Sequence, residues 1–545
     1  MTPARPWHDT LREYGIPVHI DTATHASVTE ILDESMRRFA DLPALRSFGV
    51  CLSYADLDRL SAAFGAWAQQ VLGIRRGDRV AVMLPNLLAF PIVFIGLARI
   101  GAVQVNVNPM YTPRELAHQL KDSGSEVIVI YNGSTPVLAE ILAEVPMKAI
   151  VTAAPGDGTS VALPAPAIDT RLKEAMRLAD ALDAGATLTL QPVHSSPADL
   201  LFLQYTGGTT GFSKGAALTH GNLVANIAQF KAGAGAAARI GEEVVVTAIP
   251  LYHIFALMVN FLTYFSLGAD NWLVANPRDM DGLVETLAQA RPSVFMGVNT
   301  LYAGLTMHPR LAQLDWSRLR LSGGGGAAVM ATVSERWKAA TGKVICEGYG
   351  LSETSPVLSF NPPGLTEFAG TAGLPLPETD IVLLDDQDQP VPQGERGEIC
   401  AKGPQVMSGY WRQPDANRAA FTADGYFRTG DIGLFDERGF LRVVDRKKDM
   451  ILVSGFNVYP NEIEAVAAAC PGVLECACIG VPDEKTGEAV RLFVVKRPHA
   501  ELDAATVIGH CRSQLAAYKV PHTVIFLDAL PKSTVGKILR RELRG

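Results

Sequence analysis

At 545 residues, with 48% hydrophobic content and a mean hydropathy of +0.15, the chain carries more apolar material than one core organises, so two or more domains are expected. A net charge of −8 and a pI near 5.8 argue against nucleic acid as the main partner. Seven cysteines, at 51, 346, 400, 470, 476, 478 and 511, include no CxxC pair and read as reduced, mostly buried thiols rather than a disulfide or zinc framework.

The N-terminus places Arg5, His8, Asp9, Arg12 and Glu13 where a secretory signal would need an apolar run. Val80–Leu84 then reads as a strand, Leu88–Ile100 as a helix and Val103–Val107 as a strand. A helix opening at Pro113 with Glu115 in its first turn follows, then a strand at Val127–Tyr131. This βαβαβ rhythm predicts parallel sheet covered by helices. The apolar stretch from Val80 to Val107 is broken by Pro85, Pro91 and Arg99, which makes it core rather than a membrane span. Residues 153 to 167, rich in Ala, Pro and Gly, read as a loop, and Ala175–Ala186 as a surface helix.

Residues 205 to 215 are the most chemically constrained stretch. Tyr205, Thr206, Gly207, Gly208, Thr209, Thr210, Gly211 and Lys214 combine glycines that expose backbone N–H groups, hydroxyls for phosphate or Mg²⁺, and a mobile cation. The order differs from the P-loop of kinases and GTPases, because Lys214 stands between Ser213 and Gly215. Downstream, Lys343–Cys346 reads as a strand leading into Tyr349-Gly350-Leu351-Ser352-Glu353-Thr354. Phe427-Arg-Thr-Gly-Asp431 sets a carboxylate after a tight turn, and Pro531-Lys-Ser-Thr-Val-Gly-Lys537 is a basic segment near the C-terminus. Taken singly, Glu353 also suits a helix N-terminus, Asp431 a turn and Lys537 a solvated surface.

Together these four segments resemble the signature motifs of the adenylate-forming superfamily of acyl-CoA synthetases, peptide adenylation domains and luciferases. The match runs from about Thr29 to the C-terminus. The stretches Leu203–Gly211, Pro250–Leu257, Gly297–Leu301, Lys447–Glu464 and Gly536–Leu543 are most similar to bacterial long-chain fatty-acyl-CoA synthetases. The resemblance implies an α/β fold: a large N-terminal domain, 1–445, of parallel sheets with covering helices plus a distorted barrel, and a small mobile α+β C-terminal domain, 446–545. The charged run Asp445-Arg-Lys-Lys-Asp449 would be the hinge.

The implied reaction joins a fatty carboxylate to AMP, releasing pyrophosphate, and then to coenzyme A. The resemblance assigns ATP phosphates to the 205–215 loop and Mg²⁺ to Glu353 with Thr209 or Thr210. It gives the ribose hydroxyls to Asp431, with Arg446 contacting the nucleotide, and adenine to Tyr349 and the turn Gly324, Gly325, Gly326, Ala327. Gly350, Ser352 and Thr354 complete the nucleotide site. Lys537 bridges carboxylate and α-phosphate, and His253 stands beside the reacting carboxyl. Lys448 is the pivot that brings Ser454 and Gly455 to coenzyme A. No carboxylate lies between Leu251 and Leu267, which disfavours an amino-acid substrate, whereas Phe255, Leu257, Met258 and Phe261 would line an alkyl tube.

An aryl- or medium-chain acyl-CoA ligase, an acyl-AMP ligase feeding a carrier protein, and a fatty-acid sensor on an inactive scaffold are the competing readings. The expected setting is the cytoplasm, with at most peripheral contact at the inner membrane face through the basic end Lys537–Arg544; a homodimer stays open.

Overall fold

The computed structural model describes residues 5–206, 213–483, 485–533 and 536–544. A seven-stranded sheet runs in the order Met176–Arg177, Ala149–Ala153, Val127–Tyr131, Arg79–Met83, Val103–Asn106, Leu200–Thr206, Lys214–Thr219. Its pairings are parallel except the last, where Leu200–Thr206 and Lys214–Thr219 form an antiparallel edge. The predicted βαβαβ run lies here, with helices at Ala89–Arg99 and Pro113–Ser123. The second helix begins as its residues dictate: Thr112 and Glu115 form a capping box, and Gly124 ends it in the left-handed region.

A nine-stranded sheet is ordered Leu374–Pro375, Val357–Phe360, Ile345–Gly350, Leu321–Gly324, Val294–Gly297, Val244–Thr247, Asp270–Leu273, Pro43–Ser47, Val50–Ser53. Its centre is parallel and both edges antiparallel. One apolar core joins this sheet to the first through the helices Tyr54–Gln70, Ala89–Arg99 and His220–Ala234; two further cores cover the sheets' outer faces. Strand residues divide by the period of two: Val80 and Val82 enter the central core, Ala81 and Met83 the outer one. The helix Ala89–Arg99 is buried at every position: its residues to Ala98 are apolar on all faces, and Arg99 is paired with Asp33 and Asp58.

The expected surface helix at Ala175–Ala186 is corrected in two respects. Met176–Arg177 instead extends the sheet edge, and the helix spans Leu178–Gly185 with Leu178, Ala181, Leu182 and Gly185 buried. The reason is contact: a Cβ on Gly185 would overlap the Ala63 carbonyl, so this helix lies backbone to backbone on Tyr54–Gln70.

A four-stranded antiparallel sheet, Asp380–Leu384, Gly397–Lys402, Phe427–Phe435 and Leu441–Arg446, stands where the barrel was expected and packs on the N-terminal helix Trp7–Glu13. Beyond it the core changes. Residues from Ile451 to Cys511 share their own cluster around a five-stranded sheet of Phe456–Val458, Ile451–Val453, Gly487–Lys496, Val473–Asp483 and Thr523–Phe526. The molecule is therefore a large α/β domain followed by a smaller α+β one. Six cysteines are buried and Cys51 is exposed.

Candidate active site

The site forms where the carboxyl ends of the central strands meet the C-terminal tail. Asp431 and Arg446 are paired residues on neighbouring antiparallel strands, and the pairing sets their side chains together. Arg446 Nε lies 3.0 Å from Asp431 Oδ1, and the Tyr349 hydroxyl donates to Asp431 Oδ2 at 2.6 Å. Asp431 is 3% exposed, so these two donors hold a buried charge in place. Burial, then the Asp431 charge, pushes the Tyr349 phenol well above its ordinary range, so it remains a donor. Thr429, Gly430, Arg446, Lys447 and Lys448 line an adjoining cleft of about 290 Å³.

Lys537 reaches this cluster from the tail. It lies in a cleft still open to solvent yet crowded by protein. That crowding, then the charge of Arg446, lowers its ammonium to about 8. His253 senses the same cation: burial first and Lys537 second bring its ring down to about 4. The Phe255 N–H donates to His253 Nδ1 at 3.3 Å, which assigns the proton of the neutral ring to Nε2. Gly536, at φ +76°, seats the lysine loop against Thr300, whose hydroxyl donates to the Gly536 carbonyl at 3.4 Å.

Glu353 forms the second focus. It is 7% exposed in the short turn Ser352–Thr354, and the Tyr410 hydroxyl donates to its Oε1 at 2.8 Å. Lys214 stands over the Tyr410 ring at 5.3 Å. Both foci belong to one field, since Arg446 feels the charges of both Asp431 and Glu353. Among the described residues no hydrogen bond engages Glu353 Oε2, which leaves a hard carboxylate oxygen of the kind Mg²⁺ prefers.

Other candidates fall elsewhere. The Tyr205 hydroxyl donates to Asp122 at 2.6 Å and its ring packs in an outer core, so its side chain points away from the site. Thr206 pairs with Lys214 at the strand ends. Gly207, Gly208, Thr209, Thr210 and Gly211 lie outside the described residues. Thr354 is buried and bonds the Leu351 and Pro356 carbonyls, and a Cβ on Gly350 would overlap the Pro356 carbonyl; both residues build the turn that presents Glu353. Ser352 is half-buried in that turn.

The glycine turn also divides. Gly324 packs against Val329 and Ile345 and Gly325 is buried beside Phe255, whereas Gly326, at φ +75°, and Ala327 are exposed. Ser454 and Gly455 occupy an exposed hairpin tip. Leu257, Met258 and Phe261 are fully buried in the central core, within a π-helix, Ala256–Thr263.

Sequence reasoning missed Tyr410, which has no spacing cue. It joins the site because Trp411 N–H donates to the Gly215 carbonyl and Ala217 N–H to the Gly409 carbonyl. Within the basic end, Arg540 and Arg544 are engaged by Asp445, Asp449 and Glu464.

Residues 32–411 match the model of the AMP-binding enzyme family, and residues 462–537 that of the AMP-binding enzyme C-terminal domain. The chain belongs to the AMP-binding enzymes. It is 47% identical over 540 residues to a long-chain-fatty-acid–CoA ligase of Escherichia coli O6:H1, covering 97% of this chain and 96% of that one. ATP-bound MatB from Rhodopseudomonas palustris superposes with a TM-score of 0.82 at 31% identity over 95% of this chain and 98% of its own. An anthranilate CoA ligase, AuaEII, in complex with anthranoyl-AMP, shares the fold with a TM-score of 0.86 at 24% identity, over 97% and 98%. No helix among the described residues is long and apolar enough to cross a membrane.

Proposed function

We propose that this protein activates long-chain fatty acids: a fatty carboxylate attacks the α-phosphate of ATP, pyrophosphate leaves, and the thiol of coenzyme A then displaces AMP to give acyl-CoA. The observation that carries this reading is the convergence of Lys537 from the tail on Asp431 and His253 of the large domain, beside Arg446, in a chain nearly half identical to fatty-acid ligases along its length.

Each half of the chemistry has a residue suited to it. Adenylation builds charge on phosphoryl oxygens, and preorganised cations are the main means of stabilising it. Lys537 supplies one, protonated at neutral pH. Neutral His253 offers Nε2–H to the carboxyl. Asp431 keeps acceptor capacity for the ribose hydroxyls beside its two protein donors. Tyr349 and the exposed residues Gly326 and Ala327 suit an adenine edge. Glu353, steadied by Tyr410, and Thr210 would hold Mg²⁺, which would neutralise polyphosphate charge. Phe255, set against Gly325, suits the mouth of the acyl path, and the absence of carboxylates from 251 to 267 favours an alkyl substrate.

Thioester formation would use the other arrangement of the molecule. The domain boundary falls at 445/446, and rotation about Lys448 withdraws Lys537 and carries the exposed Ser454–Gly455 tip to coenzyme A. Membrane contact, where it occurs, is peripheral. ATP–pyrophosphate exchange across saturated acids of increasing length, with coenzyme A-dependent AMP release, tests the proposal. Exchange should peak with long chains; exchange with aryl acids or amino acids but not fatty acids would overturn it.

A further inference from the structure

Arg540 lies three residues beyond Lys537 and makes contacts on both sides of the hinge run. Ahead of the pivot, its Nη1 lies 3.3 Å from Oδ1 of Asp445, the penultimate residue of the strand Leu441–Arg446. Beyond the pivot, its Nη2 lies 2.8 Å from Glu464 Oε2 and donates to Asn461 Oδ1 at 2.5 Å. Its Nε donates to Glu464 Oε1 at 3.1 Å, and Nη1 stands 3.6 Å from Asp449.

The carboxylate of Asp445 is fully buried, and its remaining bonds also divide across the hinge. Oδ1 accepts the Arg446 N–H at 2.7 Å, and Oδ2 accepts the N–H of Asn461, in the first turn of the helix Pro460–Ala468, also at 2.7 Å. Asn461 in turn donates from its side chain to the Val444 carbonyl at 3.0 Å. Asp445 is thus a socket on the large domain that receives two groups of the small one.

From this division of partners we infer that Asp445 and Arg540 form a clasp that selects the arrangement in which Lys537 is delivered to the acyl and nucleotide groups. The inference rests on the two-step reading above. Glu464, Asn461 and Arg540 belong to the small domain and move together, so their bonds survive rotation about Lys448. The bonds to Asp445 do not, because Asp445 is fixed by strand pairing to Ile432. The clasp holds only in the adenylation arrangement, and its guanidinium fork registers the tail that bears Lys537. Arg540 and Asp445 touch no reacting atom; they are positioning residues.

The two half-reactions separate this role from a general structural one. Asp445→Asn keeps the shape and removes the charge. Its ATP–pyrophosphate exchange with palmitate should fall at least tenfold, while acyl-CoA formation from supplied palmitoyl-AMP and coenzyme A stays within about twofold of wild type. Arg540→Lys should recover part of the exchange that Arg540→Gln loses. Glu464→Gln, whose partner moves with it, should not divide the half-reactions in this way. Equal loss of both half-reactions in Asp445→Asn, or unchanged exchange, overturns the clasp. Should Asp445→Asn fail to fold, Arg540→Gln decides by the same criteria. Absence of palmitate-dependent exchange in the wild type defeats the functional reading instead, so the two failures are distinguishable.

Discussion

Lys537 is a conditional cation, and its condition can be measured. Crowding brings its ammonium down to about 8, so its charged fraction falls as pH rises through that value. Because kcat/KM reports the free enzyme, adenylation measured this way should decline above about pH 8, with Lys537→Arg flattening that limb if it retains turnover. His253, near 4 and neutral at physiological pH, should add no acidic limb between pH 5 and 8. A fall in kcat/KM on acidification through 6.5 would contradict that assignment. Tyr410 supports a second residue-scale expectation. Its hydroxyl holds the buried Glu353, and a bond to a charged group is worth roughly 1.5–3 kcal/mol. Tyr410→Phe should therefore weaken use of Mg·ATP about tenfold or more, read as a raised Mg²⁺ requirement for exchange; an unchanged requirement would remove Glu353 from the metal's company.

At the scale of elements, the lysine loop depends on Gly536. Its φ of +76° favours glycine, and a Cβ there would overlap the Thr300 hydroxyl and approach Val298. Gly536→Ala should lower exchange at least tenfold, while supplied acyl-AMP is still converted to acyl-CoA; equal loss of both would mean that the loop serves the whole fold. What the sequence made legible follows from local physics. The strand Val127–Tyr131 and the helix opening at Pro113 were readable because apolar alternation and a capping box act within a few residues. Asp431 read as a carboxylate after a tight turn, yet it lies within the strand Phe427–Phe435, where pairing sets it beside Arg446. Tyr410 was not readable, since its neighbour Lys214 lies far back in the sequence and meets it only through pairing of 409–411 with a sheet edge. Arg540 read only as part of a basic end because its acidic partners are spread over Asp445, Asp449 and Glu464. Tyr205 sits inside a phosphate-binding signature, yet its strand position turns it toward Asp122.

The whole molecule is two bodies with separate cores, joined by the run 446–449 and by contacts that rotation would break: Asp445 with Arg540 and Asn461, and Thr300 with Gly536. Such a design makes the distance between bodies a readout of the reaction stage, because each half-reaction needs a different neighbour at one site. The chain offers a convenient reporter. Cys51 is its exposed cysteine, on the edge strand Val50–Ser53 of the large domain, while the other six are buried. A second label at Ser513→Cys, exposed on the helix Ala504–Gln514, completes a pair across the hinge. With ATP and a fatty acid, spin-label distances should centre on the arrangement described here. With a stable acyl-AMP analogue and coenzyme A, a second distance should appear, shifted by several ångströms or more. A single unchanged distance under both conditions, in protein that still makes acyl-CoA, would mean that both chemistries proceed without domain rotation.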